Sequence, residues 1–254
     1  MTVDGWLPPP QPLALDTDEV HVWRAALDLP HKQEQALWAL LSDDEQERAA
    51  RFHFERHRRR FIAARGLLRT TLARYLDCPP RPIRFRYGPQ GKPALDHQDK
   101  AGEVAHIQFN VAHSADLALI AVTRDRRVGV DLEQRRPLSD AVQIAHRFFS
   151  PLEVAAVEAA TGEQQLALFF QIWSRKEAFI KATGQGLSQP LADFDVVDPA
   201  GAPTPFVRLS PIILTPRWRI LDLHPHPDFA AAVVAEGDGW QVRRLEIGDQ
   251  RLVG

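Results

Sequence analysis

The chain of 254 residues contains one cysteine, Cys78. That excludes an intramolecular disulfide and any cysteine-rich zinc centre, fits a reducing compartment, and leaves Cys78 the role of a small buried hydrophobe. An excess of positive charge is also missing, since 31 Lys and Arg face 33 Asp and Glu for a formal net charge of -2. With no zinc finger and no aromatic-flanked RNA motif either, no nucleic-acid partner is expected. Long apolar runs are absent too: the longest, Leu117 to Val122 and Phe229 to Ala235, fall far short of the roughly 20 residues that span a bilayer. The amino terminus, MTVDGWLPPPQPLALD, has acids and a proline run where a secretion signal needs positive charge and an unbroken apolar core. A cytoplasmic protein without a membrane partner is expected.

The length suits one large domain or two of roughly 100 to 150 residues. Charge is unevenly spread, with Arg48, Arg51, Arg56, Arg58, Arg59, Arg60, Arg65, Arg69 and Arg74 crowding the first half. Such clustering implies an anionic ligand near that half. Patterning predicts an extended entry at Val20 to Ala26, and then a helix opened by Ser42 with Asp43 and Asp44 in its first turn. A longer helix follows near Arg56 to Leu76, with Phe61, Ala64, Leu68, Leu72 and Tyr75 as its apolar stripe and Arg58, Arg65 and Arg69 as a basic one. Strands are expected at Ile83 to Tyr87, His106 to Val111, Leu117 to Val122 and Val128 to Leu132, with a turn at GPQGKP. The second half reads as helices at Asp140 to Phe149, Pro151 to Thr161 and Gln164 to Thr183. Short strands come next, around Phe194 to Val197, Trp218 to Leu223, Phe229 to Val234 and Trp240 to Leu245.

Two stretches carry the chemistry, WSRKEAFIKATGQGLS at Trp173 to Ser188 and GVDLE at Gly129 to Glu133. Glu177 and Lys181 are four apart in a run of good helix formers and share one helix face. Alternation puts Asp131 and Glu133 on one side of a strand. A Glu and a Lys at this spacing also describe an ordinary solvated surface pair. Here, however, Trp173, Phe179 and Ile180 give the helix a large apolar surface, and valines flank the strand acids. Burying three acids without a cation or a proton is costly, and a hard cation such as Mg2+, sharing carboxylates, phosphate oxygens and water, resolves that cost.

Internal similarity suggests two related halves. Phe61 to Arg69 matches Trp173 to Lys181 in pattern, and DLALIAV from Asp116 matches DFAAAVV from Asp228, both at an offset of 112 positions. If real, the duplication makes a pseudo-dimer of two α+β lobes, with a ligand site expected in the cleft between them.

The ordered motifs GKP (Gly91 to Pro93), FNVAHS (Phe109 to Ser114), GVDLE, RFFSPLE (Arg147 to Glu153) and WSRKEAFIKATGQGLS resemble the 4'-phosphopantetheinyl transferases of the Sfp type. The likeness runs from about Ser42 to Pro190. It implies the α+β pseudo-dimer fold, lobes of residues 1–125 and 126–254, an active site between them, and a monomer. It also implies transfer of the phosphopantetheine arm of coenzyme A to a serine of an acyl- or peptidyl-carrier protein, with release of adenosine 3',5'-bisphosphate. By motif position Asp131, Glu133 and Glu177 are expected to hold Mg2+, Glu177 to serve as the base, and Lys181 to meet the pyrophosphate. His113 is expected on a phosphate, Lys92 beside the nucleotide, and Arg48 and Arg60 on the 3'-phosphate. Ala112 departs from the many relatives with serine before the motif histidine, so that hydroxyl contact is absent. Carrier recognition is assigned to Arg136 to Phe149. A degenerate relative that grips coenzyme A or carriers without turnover is the rival reading, and retention of all three acids with Lys181 argues against it.

Overall fold

Twice along the chain a Ser-x-x-Glu sequence starts a helix. In the computed structural model, which describes residues 5–96, 106–209 and 217–248, Ser42 and Ser150 are both N-caps of capping boxes. Their backbone amides donate to Glu45 at 3.1 Å and to Glu153 at 3.0 Å, so two otherwise orphaned helix-end donors are satisfied. The first half contains β1 (Glu19–Ala26), α1 (His31–Trp38), α2 (Asp43–Ala50), α3 (Glu55–Leu76), β2 (Phe85–Tyr87), β3 (Pro93–Leu95), β4 (Ile107–Ser114) and β5 (Leu117–Arg124). The second contains β6 (Val128–Gln134), α4 (Ala141–Phe148), α5 (Pro151–Ala159), α6 (Gly162–Thr183), β7 (Phe194–Val197), β8 (Pro203–Leu209), β9 (Trp218–Leu223), β10 (Phe229–Glu236) and β11 (Gln241–Glu246).

The chain divides into two compact units, Met1–Asp125 with Val242–Gly254, and Arg126–Gln241. The first has a sheet of order β11-β1-β5-β4, and the second one of order β6-β10-β9-β8-β7. In each, the unit's first strand lies antiparallel to a late strand, which pairs in turn with the strand before it. Three helices separate the first strand from the rest, and the third of them has 22 residues in both units. Two lobes of one α+β design therefore make up the fold, as the resemblance implied. Among the described residues, Val242 to Gly248, expected with the second lobe, group with the first. β11 extends the sheet beside β1, where Ile247 N donates to Arg24 O at 3.0 Å and the Arg24 guanidinium grips Glu246 through two bonds of 2.9 Å.

The third helix is anchored alike in both units. Arg69, 1 % exposed, bonds Glu45 at 2.6 Å and the carbonyls of Pro80, Arg81 and Ile83. Lys176, fully buried, bonds Glu153 at 2.7 Å and the carbonyls of Leu191 and Phe194. Each capping-box glutamate thus also neutralises a cation from the long helix, and backbone carbonyls, together with the Ser42 hydroxyl for Arg69, take further donors of that cation. This corrects the helix half of the repeat. α3 and α6 correspond at an offset of 107 (Glu55 to Gly162, Leu76 to Thr183), whereas β5 and β10 keep 112 (Leu117 to Phe229).

Arg69 is accordingly no part of a solvated basic stripe. Most of its neighbours are paired within the unit as well: Arg58 with Glu55, Arg59 with Glu34, Arg60 with Asp28 and Arg65 with Glu45. The arginine cluster largely serves the fold, which weakens the link from charge crowding to an anionic ligand. Cys78 is half-buried against the core of its unit and not sealed inside it. Three elements lack the usual signals: α1 is entered from Pro30 without a capping side chain, β3 has three residues, and β8 includes Pro203 and Pro205.

Candidate active site

Within the second unit, α6 lies along β6 and β10. Val130 and Leu132 alternate with Asp131 and Glu133, so the acids share the opposite strand face from those apolar neighbours. Lys181 Nζ donates to Asp131 Oδ1 at 2.6 Å, the carboxylate being 5 % exposed and the lysine 32 %. The second oxygen, Asp131 Oδ2, is buried with no hydrogen-bond partner. A buried carboxylate oxygen left in that state is costly and marks a place for a further positive group. Glu177 stands one helical turn before Lys181 and is half-buried. Burial first, then the charge of Asp131, push its carboxyl above the ordinary value, while Lys181 opposes and Glu133 adds to the rise.

These four side chains therefore share one electrostatic neighbourhood, as expected from the two motifs. Among the described residues, no three His, Cys, Asp or Glu side chains already converge as a metal centre. The donor set nevertheless suits a hard, oxygen-seeking cation, and Asp131 Oδ2 is the atom with the most to gain from one.

Within the first unit a pocket of about 580 Å³ is bordered by Arg48, His57, Arg60, Phe61, Arg65 and His113, among others. Its helical wall is the 57, 61, 64, 65, 68 face of α3, so Phe61 and Ala64 of the expected apolar stripe line a cavity. The same helical spacing brings in His57, a residue absent from the expected site, and Arg65 of the expected basic stripe. Arg48 stacks its guanidinium over the Phe61 ring at 5.3 Å and, among the described residues, has no carboxylate partner. Arg60 also faces the pocket, but Asp28 already holds its Nε and one terminal nitrogen at 2.8 and 2.7 Å. Lys92 does not line the pocket, although the adjacent Pro93 does. It closes the tight turn in which Gly88 N donates to Lys92 O at 3.0 Å and Gly91 takes a φ of 76°. Ala112 is buried on the face of β4 opposite His113 and borders no part of the cavity. Strand alternation thus points the position of the missing hydroxyl away from the pocket, while Ser114, the last residue of β4 before the chain turns through Ala115 at a φ of 51°, borders it.

The 4'-phosphopantetheinyl transferase superfamily pattern matches residues 127–234, and a 4'-phosphopantetheinyl transferase N-terminal pattern matches residues 28–125. The chain is 44% identical over 236 residues to the 4'-phosphopantetheinyl transferase HetI of Nostoc sp., covering 93% of this chain and 95% of that one. It belongs to the 4'-phosphopantetheinyl transferase superfamily. This transferase-family chain is also 31% identical over 172 residues to the 4'-phosphopantetheinyl transferase Sfp of Bacillus subtilis, covering 67% and 73% of the two chains. A human relative, the L-aminoadipate-semialdehyde dehydrogenase-phosphopantetheinyl transferase, is 31% identical over 174 residues, 64% of this chain and 56% of that one. The two patterns meet between Asp125 and Arg127, where the superfamily member divides into its two compact units. Asp131, Glu133, Glu177 and Lys181 all fall inside the superfamily match.

Proposed function

We infer that this protein transfers the 4'-phosphopantetheine group of coenzyme A to a serine hydroxyl of an acyl- or peptidyl-carrier protein, releasing adenosine 3',5'-bisphosphate. The observation that carries the reading is the Lys181–Asp131 pair, with Glu177 in its field, inside the superfamily match. The serine oxygen attacks the β-phosphorus of coenzyme A, the bond from that phosphorus to the bridging oxygen breaks, and the bisphosphate leaves with the bridging oxygen.

Asp131, Glu133 and Glu177 are the residues suited to hold Mg2+, which when bound neutralises charge on the phosphate oxygens. Glu177 takes the serine proton, from its place one helical turn before Lys181 and within the field of Asp131. Lys181, already within reach of Asp131, stabilises the charge that develops on the transferred group. Arg48 and His113 supply cationic and hydrogen-bonding contacts for phosphate, Arg60 and Lys92 add weaker contacts toward the nucleotide end, and Phe61 offers an apolar surface. The carrier docks on the segment from Arg136 to Phe149, where Leu138, Val142 and Ile144 of the α4 region remain partly exposed and Arg136 and Arg147 meet carrier acids. The protein works as a cytoplasmic monomer without nucleic-acid or membrane partners.

Incubation of apo-carriers with the protein, coenzyme A and Mg2+, followed by intact-mass analysis, tests the reading. One phosphopantetheine per carrier is expected. Binding of coenzyme A with no mass gain on any carrier would instead establish the non-catalytic rival.

A further inference from the structure

We infer that Gly129 is a positioning residue for the transfer reaction, a reading that rests on the function proposed above. Gly129 opens the GVDLE motif inside the regular strand β6. No left-handed backbone requires glycine there. Space does. A Cβ built on Gly129 falls 2.0 Å from Ala178 O, 2.3 Å from Ala182 N and 2.9 Å from Ala182 Cα. All three are backbone atoms of α6, so no side-chain rotation can relieve the clash. Real Cβ atoms essentially never come within 3.0 Å of a heavy atom outside their own residue and its chain neighbours, so any side chain here drives the helix off the strand by about 1 Å.

The affected seam is the one that builds the site. Ser174, Glu177, Ala178, Lys181 and Ala182 recur at helical spacing on a single face of α6. Ser174 Oγ donates to Ala230 O of β10 at 3.3 Å, and Lys181 Nζ reaches Asp131 at 2.6 Å. Asp131 lies two residues beyond Gly129 on the same strand face. Backbone contact at Gly129 therefore fixes how far Lys181 and Glu177 stand from Asp131. The glycine acts through these residues and touches no substrate.

The test uses the full chain, a carrier that the wild type loads, and steady-state kinetics. Gly129→Ala is expected to lower kcat about a hundredfold, as for a displacement of about 1 Å, while KM for coenzyme A changes less than about threefold. Asp131→Glu, which lengthens the acid by one methylene, should be impaired alone yet restore roughly tenfold of the lost kcat in the Gly129→Ala background. A glycine needed only for folding has no reason to show that reciprocal rescue. Gly66→Ala is the control, since its added Cβ meets Leu37 Cβ at 2.7 Å in the α1–α3 packing of the first unit, away from Asp131 and α6, and it should reduce stability with kcat kept. If Gly129→Ala does not fold, Ala178→Val inserts bulk from the helix side of the seam and must show the same kcat loss and the same rescue. Unchanged kcat in a folded seam variant, or a kcat loss that Asp131→Glu does not relieve, overturns the inference and leaves the functional reading intact. A wild type that loads no carrier overturns both.

Discussion

Lys176 and Glu153 form an ion pair at 2.7 Å with both side chains fully buried. Glu153 also accepts from the Ser150 and Val196 amides, and Lys176 donates to two carbonyls. Burial pushes the carboxyl up and the ammonium down, against the mutual attraction of the pair. Lys176→Met should therefore cost about 3 to 5 kcal/mol, because it strands a buried carboxylate. The double variant with Glu153→Gln should recover part of the loss. Urea unfolding monitored by tryptophan fluorescence measures both; an unchanged midpoint for Lys176→Met would show that the pair carries no net weight.

The raised proton affinity of Glu177 sets a pH signature in the metal-free protein. A carboxyl whose folded value exceeds its unfolded value of about 4.5 contributes stability that is present below the unfolded value and lost as pH rises through the folded one. Metal-free Glu177→Gln should then be more stable than the wild type at neutral pH, with the advantage vanishing on acidification below about 4.5. Thermal unfolding across pH in excess chelator checks this. Adding Mg2+ should narrow or reverse the difference, since a bound cation stabilises only the chain that ligates it.

Asp131→Ala and Glu177→Ala should fail by different routes. Each removes a proposed cation ligand, but only Glu177 also takes the serine proton, a role typically worth 10²- to 10⁴-fold. Saturating Mg2+ should rescue the Asp131 variant more than the Glu177 variant in the carrier mass assay. Equal rescue removes the base role from Glu177.

Arg48 and Arg60 should differ as coenzyme ligands. Arg48→Ala is expected to raise KM for coenzyme A by roughly 10- to 150-fold, equivalent to about 1.5 to 3 kcal/mol for a charge-assisted contact, with little change in kcat. It should also discriminate less between coenzyme A and its 3'-dephospho form. Arg60→Ala should do less on both counts, because Asp28 already holds that guanidinium through two bonds. Steady-state kinetics with both substrates decides the matter, and equal effects would require the Asp28 pair to open on binding.

Local chemistry made much of this chain legible. Ser42 with its following acids marked α2, Gly184 marked the end of α6, and alternation placed Asp131 beside Glu133. Pairings that depend on tertiary contact were less accessible. Nothing in the run of arginines distinguishes Arg69, buried on Glu45, from Arg48, stacked on Phe61, because both are long cations on amphipathic helices and only the packed structure supplies their partners. The Phe61 and Ala64 stripe had the period of a core face and proved to wall a cavity, a distinction that periodicity does not contain. Likewise, an offset of 112 describes the strands but not the helices, since the connection between helix and late strand differs in length between the two units.

The near-repetition of the lobes has a consequence for stoichiometry. By strand register, Trp23 opposite Ile120 occupies in the first unit the place of Asp131 opposite Ala232 in the second. By helix offset, Arg74 takes the place of Lys181 and Thr70 that of Glu177. Arg74 does lie over the Trp23 ring, at 5.4 Å, so the contact between helix cation and strand residue persists while the strand acid has become an indole. An indole face attracts a guanidinium but offers no oxygen to a metal. Among the described residues, two copies of one scaffold thus yield one such acidic centre, and metal titration should saturate at one equivalent.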